Sequence, residues 1–152
     1  MKHLKHLLAA LVFVSLIVFS SCGGGKGGDK IDPADEQAEK FTGTWSLVAD
    51  QAKLVSASQS DWNGMTLTVT GDGAGGTFST SGSQCTEVWP ASGTWTFDGD
   101  DIGTAVRNDG VSLDLSTVTT SSLVLTFTIN ETTCTAPRAE SVQGVWTFTF
   151  SK

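Results

Sequence analysis

The feature that most restricts this chain is an alternation of apolar residues with threonine, repeated in segment after segment from Phe41 onward. Met65, Leu67 and Val69 alternate with Thr66, Thr68 and Thr70, and Leu123, Leu125, Phe127 and Ile129 with Thr126 and Thr128. Trp146, Phe148 and Phe150 alternate with Thr147 and Thr149. A period of two puts each set on its own face of an extended strand, so these segments read as antiparallel strands with one buried and one wet face. The same test marks 43–48, 76–80, 93–98, 102–107 and 111–118, which makes about eight strands. Between them lie turn clusters: Asp61-Trp62-Asn63-Gly64, Gly71 to Gly76, Asp98-Gly99-Asp100-Asp101 and Asn108-Asp109-Gly110. Asn, Asp and Gly enter left-handed backbone regions at little cost, so these favour tight hairpins.

No run in this part has a convincing helical period, which disfavours parallel β-α-β architectures. Short connections predict a meander, and eight strands in a meander lose their exposed edges best by closing. The expected fold is all-β, a small antiparallel up-and-down β-barrel, with a two-sheet β-sandwich as the alternative. Strands of about six to eight residues span roughly 20–26 Å, enough for a small barrel.

Ahead of this domain stands a different kind of sequence. Met1 to His6 is a short basic start, and Leu7 to Phe19 is apolar except for Ser15. About thirteen such residues match a signal-peptide core and fall short of about 30 Å of hydrocarbon. Ser20-Ser21-Cys22 closes the stretch with small residues before a cysteine, which resembles the lipobox of bacterial lipoproteins. The resemblance implies a leader over residues 1–21, diacylglyceryl on the Cys22 thiol and attachment to a membrane by several acyl chains. Phe19 stands where that family usually has an aliphatic residue, and Gly23 favours the outer membrane by the same resemblance. An unmodified Cys22 after an ordinary secretory signal, and an uncleaved anchor, are the alternatives. Gly23 to Lys30 buries nothing and reads as a flexible tether; Ile31 to Lys40, with Pro33 and mixed charges, reads as linker or lid with at most a turn or two of helix. Residues 22–40 are thus expected to connect the lipid to a domain over 41–152.

Charge and composition exclude several functions. Without the leader's Lys2 and Lys5, about seven basic side chains face 16 acidic ones, so a phosphate backbone is repelled and no basic patch exists to bind nucleic acid. His3 and His6 are the only histidines. A mature chain without imidazole has no Ser-His-Asp triad, no Cys-His pair and none of the common histidine-containing zinc sites. No enzyme activity, cofactor or metal is expected, and the oligomeric state is not legible.

Gly43-Thr44-Trp45, then Gly93-Thr94-Trp95-Thr96-Phe97, Ser122-Leu123-Val124-Leu125 and Trp146-Thr147-Phe148-Thr149-Phe150, occur in the order seen in lipocalin-like domains of bacterial lipoproteins. The chain resembles that family over 41–152, which implies a barrel with a mouth able to take a small apolar ligand. In eukaryotic lipocalins the tryptophan of the Gly-x-Trp start packs on an arginine near the last strand. The final strand here, 142–151, has none, and Arg138 precedes it. Avidin-type barrels share the Gly-x-Trp start but draw on tyrosine for biotin, and this chain has no tyrosine.

Trp45, Trp95 and Trp146, with Phe78, Phe97, Phe127, Phe148 and Phe150, are the largest residues on the inward pattern. Two readings stay open: they line a ligand pocket, with Trp45, Trp89, Trp95, Phe97, Phe127 and Trp146 as contacts, or they fill a narrow barrel as part of an envelope interaction module without a ligand. Short strands favour filling. Trp62, Trp89 and Pro90 fall in or near loops, where an exposed aromatic would serve recognition. Cys85 and Cys134 are expected to form a disulfide in an oxidising compartment, closing a loop of about 50 residues and contributing about 3–4 kcal/mol on the chain-entropy account; two free buried thiols are the alternative. Asp98, Asp100 and Asp101 lack the spacing and the roughly six oxygens of a calcium site. Glu87, Asp114 and Glu131 could supply carboxylate pairs, but a solvated face explains them better.

Overall fold

The alternation is realised strand by strand. The computed structural model describes residues 30–131, 133–134 and 141–152. Its strands are β1 (Gly43–Leu54), β2 (Ala57–Ser58), β3 (Thr66–Asp72), β4 (Gly75–Ser81), β5 (Ser92–Asp98), β6 (Asp101–Arg107), β7 (Ser112–Val118), β8 (Ser122–Ile129) and β9 (Gly144–Ser151). Each pairs antiparallel with its neighbour, and β1 pairs with both β3 and β9, so eight strands close on themselves while β2 extends the end of β1. The barrel therefore holds, and the sandwich does not. Apolar positions point inward and are buried, and outward threonines pair across strands, as Thr44 with Thr68 at 3.2 Å and Thr70 with Thr77 at 2.8 Å.

β1 runs longer than its sequence pattern suggested because it carries a wide bulge. Leu47 pairs with Phe150 but the next paired residue is Ala52, opposite Phe148. Asp50 in the bulge takes a left-handed backbone (φ 59°), and Asn63 clamps it, accepting from the Asp50 amide at 2.8 Å and donating to its carboxylate at 3.0 Å.

Hairpins β3–β4, β5–β6 and β7–β8 lie at the end where β1 begins, and the longer connections lie at the other. A helix, α1 (Pro33–Phe41), covers the first of these, the helix end. Asp32 caps it by accepting from the Ala34 amide at 2.9 Å, Pro33 opens it, Asp35 and Glu36 sit in its first turn and Lys40 in its last. Ala38 and Phe41 bury their side chains in the barrel core, with Phe41 edge-on to Trp95 at 5.0 Å. The Gly73 amide, where a Cβ would lie 2.6 Å from the Asp35 carboxylate, donates to that carboxylate at 2.9 Å. Of the two readings of 31–40, linker or lid, the structure has a helix lying over the barrel end, and the compact unit runs from Ile31 to Lys152. Only Ala34, Ala38 and Phe41 form the apolar stripe, too little to outweigh the surrounding charges in a periodicity count. Residues 1–29, including Cys22, and Arg138 lie outside the described residues.

Candidate functional site

The six aromatic residues expected to touch a ligand are all buried, and they touch one another or their neighbours instead. Trp45, Trp89, Trp95, Phe97, Phe127 and Trp146 belong to one continuous core with Trp62, Phe148 and Phe150. Phe127, Phe148 and Trp89 meet at ring separations of 5.4–5.9 Å, two edge-on and one stacked. The void left between Phe41, Leu67, Val69, Phe78, Trp89, Trp95 and Leu113 measures about 10 Å³, no more than one water would need, and its lining is apolar. Among the described residues these aromatic side chains pack against one another with little void between them.

The two loop tryptophans are where expectation fails. Trp62 lies in a 3-10 turn (Ser60–Trp62) and Trp89 in the β4–β5 connection, yet both are fully buried and seal the loop end of the barrel. Strand tryptophans are satisfied: Trp45 and Trp146 each donate to the carbonyl four residues back, Phe41 and Val142, at 2.8 Å, and Trp95 donates to Thr70 at 3.1 Å. Among the described residues the indole N–H groups of Trp62 and Trp89 have no acceptor. Neither loop residue has a period to reveal its direction, so burial here is a tertiary outcome.

Arg107, which motif reading passed over, is the buried charge of the described core. Its guanidinium lies 5.2 Å from the Trp89 ring centre and 5.7 Å from that of Phe127. It donates to the Val88 carbonyl at 2.7 Å and, through two nitrogens, to the Asp109 carboxylate. Burial raises the pKa of Asp109, but the bond to Arg107 and its charge outweigh this and hold the carboxyl below its ordinary 3.8. Parity was the available signal: Arg107 follows inward Ala105 by two. At the helix end the cation is Lys152, whose ammonium sits 4.0 Å from the Trp45 ring centre and donates to the Thr42 carbonyl. Burial lowers its pKa. Its stem crosses Gly43, where φ is 128° and a Cβ would lie 2.6 Å from Lys152 Cε. Among the described residues, the cation packed on the Gly-x-Trp tryptophan is thus a lysine beyond the last strand.

One cleft opens at the loop end. β7 leans on β6 through Thr104↔Asp114, Ala105↔Leu113 and Val106↔Ser112, but its ladder with β8 stops at Asp114↔Thr126. Beyond that pair the walls part into a cleft of about 540 Å³ lined by Asp109, Ser112, Asp114, Thr126, Phe127, Thr128, Asn130 and Glu131 among others. Of the six expected contacts, Phe127 alone lines it. Asp114 and Glu131 come together here as exposed groups, away from Glu87, so no buried carboxylate pair for hydrolysis results.

Cys85 and Cys134 are bonded, Cα atoms 5.5 Å apart, joining the β4–β5 and β8–β9 connections. Glu87 lies close to both sulfurs, but a disulfide offers no thiolate to a metal. Asp101 spends its carboxylate on the Gly103 amide (2.9 Å) and the Thr104 hydroxyl (2.8 Å), which is turn chemistry rather than a calcium cage.

A closed eight-stranded antiparallel meander with a Gly-x-Trp first strand, a cation on that tryptophan and a helix over one end defines a small barrel of the lipocalin type. The chain belongs to the family of the lipocalin-like domain, which it matches over residues 41–127, more than half its length. The match ends within β8, short of β9, Cys134 and Lys152. No curated protein and no solved structure matches the chain. Lipocalin-like domains are generally binding or transport modules rather than enzymes.

Proposed function

We propose that this protein is a lipoprotein of the cell envelope, lipidated at Cys22 and held at the outer membrane, whose lipocalin-like domain works by binding on its outside rather than by enclosing a ligand. The filled interior carries this reading: a void of about 10 Å³ admits no apolar molecule, whereas pockets for such ligands run to roughly 300 Å³ or more. Anchoring is supported by the basic start, apolar core and small residues before Cys22. Within the domain, α1 covers the helix end and the cleft opens at the opposite, loop end.

The test has two arms. Cells grown with labelled palmitate should yield labelled protein, and Cys22→Ala should abolish the label. Full-length protein purified from native membranes should leave an apolar fluorescent probe such as an anilinonaphthalene sulfonate dark. A probe that brightens in saturable fashion, or an apolar molecule retained through purification, would move binding to the interior.

A further inference from the structure

We infer that the cleft between β7 and β8 is a docking edge for an extended, basic polypeptide, which adds as a strand to the barrel wall. The inference rests on the outside-binding reading above and names its site and partner.

The main chain at this cleft has the right donors and acceptors. The Arg107 amide donates to the Val111 carbonyl at 2.9 Å, so the main-chain groups of Val111 face β6. Alternation in an antiparallel ladder then turns those of Leu113 toward β6 and those of Ser112 and Asp114 toward β8. Asp114 meets its partner Thr126; two residues further, Ser112 and Thr128 would be the next pair, but the ladder has ended and both line the cleft. Each wall thus presents main-chain groups of the kind that strand addition uses.

A second parting in the same region shows what coverage looks like. Toward the helix end β7 pairs with β8 at Thr117↔Val124 and Val118↔Leu123, while its pairing with β6 does not reach past Asp114. There α1 packs on β6 and β7, and Ala34 and Ile102 join the core. At the loop end no described element fills the corresponding place.

Charge selects the occupant. Asp109, Asp114 and Glu131 line the cleft, with Thr126, Thr128, Ser112 and Asn130 as uncharged polar neighbours. Arg107 engages Asp109 from the buried side, leaving Asp114 and Glu131 to face an incoming chain. A second copy of this acidic protein would bring like charge to the same edge, so an extended segment with lysine or arginine at alternate positions fits best.

The experiment uses the full isotope-labelled chain in non-ionic micelles and an end-blocked octapeptide alternating threonine and lysine. We expect saturable amide shifts confined to 109–114 and 126–131, and no binding of the threonine–glutamate counterpart. The lysine peptide with N-methylated amides along one edge should lose at least about tenfold in affinity. Ser112→Pro, which removes the donor aimed at the cleft and spares the bonds of Val111 and Leu113 to β6, should do the same. The double variant Asp114→Asn/Glu131→Gln should weaken binding roughly fivefold. Equal binding of the N-methylated peptide, shifts elsewhere on the barrel, or self-association through this edge would each overturn the inference. If the lysine peptide fails while the apolar probe stays dark, the site is wrong and outside binding stands; a bright probe removes that reading itself.

Discussion

The two ends of this barrel are closed in different ways. At the helix end, α1 lays Ala38 and Phe41 into the core, Asp35 holds the β3–β4 turn, and Lys152 ties the last residue to Trp45 and Thr42. Among the described residues no buried side-chain polar atom in that closure lacks a hydrogen-bond partner. At the loop end, Trp62 and Trp89 fill the opening with indole N–H groups that find no acceptor among the described residues, a buried Arg107 braces one of them, and a disulfide ties the flanking connections. Regular structure satisfies its own main chain, whereas loops must borrow partners, and the cleft lies on the side where they do.

Deleting one plug from each end tests this contrast most strongly. Phe41→Ala and Trp89→Ala should each cost about 3–5 kcal/mol in denaturant titrations, with Trp89→Ala at the lower limit because it also removes a buried N–H that finds no acceptor among the described residues. Trp89→Ala should also let an apolar probe enter from the loop end, which Phe41→Ala should not. A loss for Phe41→Ala below about 1 kcal/mol would show that α1 merely rests on the barrel.

Replacing Cys85 and Cys134 with serine should cost about 3–4 kcal/mol. Hydrogen exchange should then accelerate in 83–91 and 130–134 and stay unchanged in 33–41. Acceleration spread evenly over both ends would remove the distinction drawn here.

Asp109→Asn should cost about 1–3 kcal/mol by leaving the Arg107 charge buried with a weaker partner. Because the folded pKa of Asp109 lies below 3.8, its contribution is complete above that pH and disappears as acid carries the pH through the lower folded value. Exchange at the loop end should therefore rise below pH 3.8 in the parent and lose that dependence in Asp109→Asn. The smallest effect belongs to Lys152→Met, about 0.5–1 kcal/mol, read as faster exchange at Thr42 and Gly43.

Much of the barrel was legible in the chain, because the strands carry a two-residue period and their turns carry Gly, Asn and Asp. Trp45, Trp95 and Trp146 were placed inward by parity, and the pairing of Cys85 with Cys134 followed from their number and the expectation of an oxidising compartment. Asp114 and Glu131 read as unrelated surface acids, since nothing in their spacing shows that one ladder ends at Asp114 while the next continues to Ile129. Arg107 shared the inward parity of Ala105, but a charge at a core position draws attention only once its partners are seen.

Alternation along a strand decides which side chains face inward, and hence the class of fold, because successive Cβ atoms must point to opposite faces. How the interior is filled was decided by residues outside the alternation: Trp62 and Trp89 arriving from loops, and Phe41 from a helix with three apolar positions. Such long-range filling depends on how far eight strands close and what the connections between them can reach, a property of the assembled barrel that local periodicity does not encode.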